Sequence, residues 1–177
     1  MFFKSKKPNR NIPLDEAAEQ LYKIAIHNVE DSYLHGIMRG INYKIPLKET
    51  ADIELLLSNY SAIVIALNVL IADNDAFKRA FPGLLDKLHE KIYKFVSNRN
   101  DKTKNDFNEL TQARQNEYLR CLAEGRTELG EEIYLHLSAE SEAPIYARQR
   151  DHTLCKMLGV KFFVIQKMAK NYFKKTK

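Results

Sequence analysis

The chain has 177 residues, 45% apolar and 29% charged, with only six Gly and five Pro, a composition that excludes a disordered tail, a collagen-like fibre and a disulfide-stapled miniprotein. A domain of this length buries about 70% of the surface its unfolded chain exposes, so a core forms without metal or disulfide. The net charge of +5 is uneven: the first ten residues carry +4, the segment after Asp151 carries +7 with no acid, and all 23 acidic residues lie between Asn11 and Asp151 among 17 Lys and Arg.

The first ten residues are basic but lack an apolar run of seven, so they do not read as a secretory signal. Residues 1–12 are expected to form a mobile basic arm ahead of a single helical domain spanning 13–177. Cys121 and Cys155 are the two cysteines and no Cys-x-x-Cys pair occurs, which points to a reducing, cytoplasmic setting.

The first predicted helix runs from Pro13 to His35. Leu14, Ala17, Ala18, Leu21, Ala25, Val29 and Tyr33 recur at spacings of three and four, and Asp15 and Glu16 favour the positive helix N-terminus. His27, Asp31 and His35 stand at i, i+4 and i+8 on this helix, and two imidazoles with a carboxylate are legitimate ligands for zinc, iron or manganese. They are the candidate metal ligands, but no second ligand pair at matching spacing accompanies them, so no cofactor is expected.

A second helix, about Thr50–Ala72, is apolar on nearly every side and belongs at the centre of a bundle. Its most apolar stretch, Ala62 to Ala72, is eleven residues long, shorter than the roughly 20 needed to span a bilayer. It is therefore read as a buried helix, and no transmembrane segment is expected.

Asp73-Asn74-Asp75 breaks the pattern, and Pro82 is read as a new helix start because proline disrupts a helix interior. Leu84, Leu85, Leu88, Ile92, Phe95 and Val96 form the stripe of the third helix. Asp86-x-x-His89 is the nearest approach to a di-iron motif and lacks the second copy that such a centre requires.

The polar run Ser97–Asn105 reads as a linker. The next helix carries Phe107, Leu110, Arg114, Tyr118, Cys121 and Leu122, capped by Asn105 or Asp106 and closed by Gly125. A weaker helix is expected over Glu131–Ser141. Pro144 opens the last one, with Gly159 as a point of bending or interruption before Lys177. No segment alternates with strand period. The expected fold is all-α: an irregular bundle of six or seven helices around the buried Thr50–Ala72 helix.

On the last helix Lys156, Lys167, Lys170, Lys174 and Lys177 fall within a band of about 80°. Leu154, Leu158, Ile165, Met168, Ala169 and Tyr172 gather on the opposite side, giving a purely basic polar face if Gly159 does not reset the phase. Such a face suits an acidic protein surface, nucleic acid or an anionic membrane. A solvated face at a chain end is the simpler explanation, and arginine forks for phosphate are missing.

Arg114, Glu117 and Arg120, with Arg148, Arg150, Asp151 and His152 on the last helix, line a cleft or pair across helices, the second being commoner. His152 and Cys155, one turn apart, have no partner ligands to complete a metal site. Gly-x-Ser-x-Gly, Walker, Gly-x-Gly-x-x-Gly and His-Glu-x-x-His motifs are absent, which weakens an enzymatic reading. The leading expectation is a non-enzymatic interaction or regulatory domain that binds a protein partner or a second copy of itself. A binder of nucleic acid or anionic membrane through the last helix comes next, and a small metal protein or enzyme third.

Overall fold

The computed structural model describes residues 13–27, 29, 50–71, 75–124, 126–138 and 145–175. Six helices follow one another among these residues, with no strand: α1 (Leu14–Ile26), α2 (Ala51–Ile71), α3 (Asp75–Ser97), α4 (Lys104–Glu124), α5 (Arg126–Leu137) and α6 (Ile145–Lys175). The fold is an all-α helical bundle. The basic arm lies outside the described residues.

The centre of the bundle is α2, which packs against each of the other five helices. Residues 55–64 are buried without a break, and ten consecutive helical residues cover every side of the cylinder. Such a helix must be apolar all round. By length and composition α2 would also suit a bilayer, and here most of its surface is covered by its neighbours. The count of eleven apolar residues understated this helix, so its length does not separate the two settings.

Two buried polar groups on α2 tie it to other helices. Asn59 donates from Nδ2 to the Ala25 carbonyl at 2.7 Å, taking up one of the last carbonyls of α1 that have no amide partner within the helix. The chain then leaves the helix: His27 is extended, with φ −60° and ψ 121°. Helix one therefore ends at Ile26, nine residues before the expected His35. At the next residue of α2, Tyr60 donates to His89 Nδ1 at 3.0 Å, and His89 Nε2 donates to Asn108 Oδ1 at 2.7 Å, linking α2, α3 and α4 through one imidazole.

Pro82 sits inside α3 and does not start it. Its missing amide would have served the Lys78 carbonyl. Both residues are exposed, so water can reach that carbonyl, while Phe81, Leu84, Leu85 and Leu88 hold the helix on the core. α1 lies beside α3 in the same direction, as Asp15 meets Lys87 at 2.5 Å and Glu19 meets Lys91 at 2.8 Å.

The turn after α3 ends in a capping box. Thr103 Oγ1 accepts from the Asp106 amide at 3.2 Å, and Asp106 Oδ2 accepts from the Thr103 amide at 3.1 Å and hydroxyl at 2.7 Å. The cap of α4 is thus Thr103 rather than Asn105 or Asp106. Only the backbone geometry separates these adjacent polar residues.

The α5 helix occupies Arg126–Leu137, earlier in the chain than the expected Glu131–Ser141. It meets α6 closely: a Cβ on Gly130 would overlap the Cys155 carbonyl oxygen, so only glycine allows the two backbones this approach. α6 runs unbroken through Gly159, and Leu154, Leu158, Phe162, Ile165 and Ala169 bury its inner side.

Candidate functional site

Two features of the described residues are candidates for chemistry or recognition: the outer face of α6 and a polar corner between α2, α4 and α5.

Because α6 is continuous, the lysine stripe keeps its phase. Lys156 and Lys167 are exposed and Lys170 is half-buried, whereas the Lys174 side chain and Lys177 lie outside the described residues. The face is not purely basic. Met157, Val160 and Val164 are 37%, 58% and 48% exposed, and their spacing of three and four residues sets them in a row beside Lys156 and Lys167. The spacing of the lysines alone does not reveal the aliphatic row beside them.

Lys161 belongs to the other side of α6. It is buried, with Leu158 and Ile165 one turn away in either direction, and desolvation lowers its pKa to about 8.

The polar corner is built around Arg114. Its Nε donates to Glu54 Oε2 at 2.8 Å and one terminal nitrogen donates to Glu54 Oε1 at 3.0 Å, the two-pronged geometry that suits a planar guanidinium. The second terminal nitrogen reaches Glu117 Oε2 at 3.1 Å. Burial works against the guanidinium charge, but the Glu54 hydrogen bonds and field more than offset it and its pKa is raised.

His136 enters the corner from α5. Its Nε2 lies 3.0 Å from Glu117 Oε2 and 3.4 Å from Glu132 Oε1. Burial first, and then the nearby Arg114, lower the imidazole pKa, so at neutral pH the ring is uncharged and Nε2–H donates to the carboxylates. Arg120 approaches Glu132 Oε2 at 3.7 Å from the solvent side. Beneath them Tyr118 is fully buried, edge-on to the His136 ring at 6.2 Å between centroids. Its hydroxyl has no hydrogen-bond partner among the described residues. Burial raises its pKa, and Glu54, Glu117 and Glu132 act in the same direction.

The structure brings Arg114 and Arg120 into interhelical ion pairs, but with Glu54 and Glu132, and sets Glu117 in a hydrogen bond with His136. The Arg148, Arg150, Asp151 and His152 side chains lie outside the described residues. The continuous helical edge expected for His27, Asp31 and His35 is broken, because the helix stops at Ile26. His27 is exposed, while Asp31 and His35 lie outside the described residues. Asp86 is exposed and His89 is engaged on both ring nitrogens. Cys121 and Cys155 are buried and form no disulfide with each other.

The chain matches no family model, no curated protein and no solved structure.

Glu132 and His136 were not singled out from the sequence. Their signal is a Glu-x-x-x-His pair at i, i+4, which places both side chains on one face of a helix. Which carboxylate stands opposite is set by the α4 to α5 packing.

Proposed function

We propose that the protein is a helical interaction domain that docks a partner helix with an acidic edge on the outer face of α6. The observation that carries this reading is the exposed row Met157, Val160 and Val164 beside Lys156 and Lys167. A narrow row at i, i+3 and i+7 has the shape of a helix-pairing seam. An interfacial membrane helix instead presents a broad apolar face rich in aromatic residues.

The charge pattern favours a different chain over a second copy. Two-fold self-pairing of this face would bring two lysine rows together, whereas carboxylates along a partner helix would complement them. Cytoplasmic residence belongs to the same proposal, supported by two buried cysteines with no disulfide between them.

Two double variants test the reading: Val160→Asp with Val164→Asp removes the apolar row, and Lys156→Glu with Lys167→Glu reverses the edge. A protein bound by the parent chain should be lost by both, and recovered by the charge-reversed chain when the acidic residues of the partner helix become Lys. Unchanged binding by the valine pair overturns the proposal. Loss with charge reversal alone, accompanied by adsorption to phosphatidylserine vesicles or by salt-labile retention on heparin, replaces it with a membrane or nucleic-acid role.

A further inference from the structure

We propose that Glu117, Glu132 and His136 bind one divalent transition-metal ion of the zinc type, with the Tyr118 hydroxyl oxygen accepting from a water on that ion. This site lies on α4 and α5 and does not depend on the docking face of α6.

The geometry is the first support. One ligand atom from each of the three residues lies within 4.8 Å of the others. The His136 nitrogen is 3.0 Å and 3.4 Å from the two carboxylate oxygens. An ion with bonds of about 2.1 Å holds tetrahedral ligands about 3.4 Å apart, so small side-chain movements would admit it. One nitrogen and two carboxylate ligands leave a position for water, the pattern of open zinc sites.

The charge balance is the second. Arg114 makes two bonds to Glu54 and a third to Glu117 Oε2, and Arg120 is largely exposed, so three carboxylates face two guanidinium groups, one of them solvated. When a cation enters, the imidazole proton moves from Nε2 to Nδ1 and the freed Nε2 lone pair becomes the ligand.

Tyr118 is the third. A hydrogen-bond network among Glu117, Glu132 and His136 accounts for those three side chains and leaves this buried hydroxyl without a partner. Orphaned buried polar groups are rare because their desolvation is uncompensated, and a metal-bound water would supply a donor to the Tyr118 oxygen.

Calorimetric titration of the full chain with Zn2+ tests the site. One equivalent should bind, Glu132→Gln and His136→Gln should each weaken binding at least about tenfold, and Glu131→Gln, at an exposed neighbour on the same helix, should leave it unchanged. X-ray absorption at the zinc edge of the parent chain should show a nitrogen and oxygen shell with one imidazole and no sulfur, a result that stands even if a variant fails to fold. Sulfur in the shell, as from the Cys121 thiol 3.9 Å from Glu132 Oε2, overturns the assignment. So does a lack of stoichiometric binding, or parent-like affinity in folded His136→Gln.

Discussion

The seam between α1 and α3 and the corner where α4 and α5 meet α2 are both crossed by ion pairs, yet water reaches them very differently. On the seam, Lys87 and Asp15 are 42% and 82% exposed, whereas in the corner Arg114 and Glu54 keep 14% and 12%. Exposed pairs gain little because water screens them and long side chains lose freedom. In the corner each charge has given up water and depends on its partner, so removal of one is costly even where the pair itself adds little stability. Similar residue types thus decorate one interface and hold the other in register.

The largest expected effect is at the corner. Arg114→Ala leaves the shielded Glu54 carboxylate without its two-pronged partner, and urea unfolding should report a loss of about 3 kcal/mol. A loss no greater than that of a surface substitution would show that water enters the corner freely.

Two environments on α6 extend the comparison, because Lys156 and Lys167 are solvated and Lys161 is not. With its pKa lowered from 10.5 to about 8, the Lys161 ammonium costs the fold on the order of 3 kcal/mol at neutral pH. Below pH 8 folded and unfolded chains both hold this proton and the cost is complete. Between about 8 and 10.5 the unfolded chain binds more protons, so stability rises with pH. The stability of the parent chain relative to Lys161→Met should therefore be constant from pH 6 to 8 and increase toward pH 10. A difference independent of pH would mean that the folded chain does not depress this pKa.

The smallest effect belongs to the seam. Glu19→Gln, which removes the carboxylate 2.8 Å from Lys91, should leave the urea midpoint unchanged within error. A clear shift would place this pair with the corner.

Much of the fold was legible because it depends on local periodicity. The α2 helix spans Ala51–Ile71, within a residue of its expected ends, since a run apolar on all faces has few soluble solutions other than a helix enclosed by others. The inner side of α6 was likewise recoverable from Leu154, Leu158, Ile165 and Ala169. Pro82 was misread because the penalty for proline inside a helix depends on whether water can serve the freed carbonyl, and that depends on which side faces out. The end of α1 was misread because apolar spacing continued to Val29 and Tyr33, while the carbonyl of Ala25 was claimed by Asn59, a residue 34 positions away.

The candidate sites divide along the same line. Lys156 and Lys167 could be placed together from sequence, because residues on one helix have fixed angular relations. The valine row became meaningful only once exposure was known, and Lys161 showed that a lysine on the same helix can point inward. Glu54, Glu117, Glu132 and His136 come from three helices, and no local spacing specifies their meeting.

By itself, the sequence determined the helical class, the enclosed central helix and the orientation of the last helix, all of which follow from the period of side chains along one backbone. Tertiary structure alone decided where α1 stops, which lysines meet water and which carboxylates surround His136. Those outcomes depend on how closely separate helices approach, as at Gly130 and Cys155, and on the loss of solvent that this approach imposes on each charge.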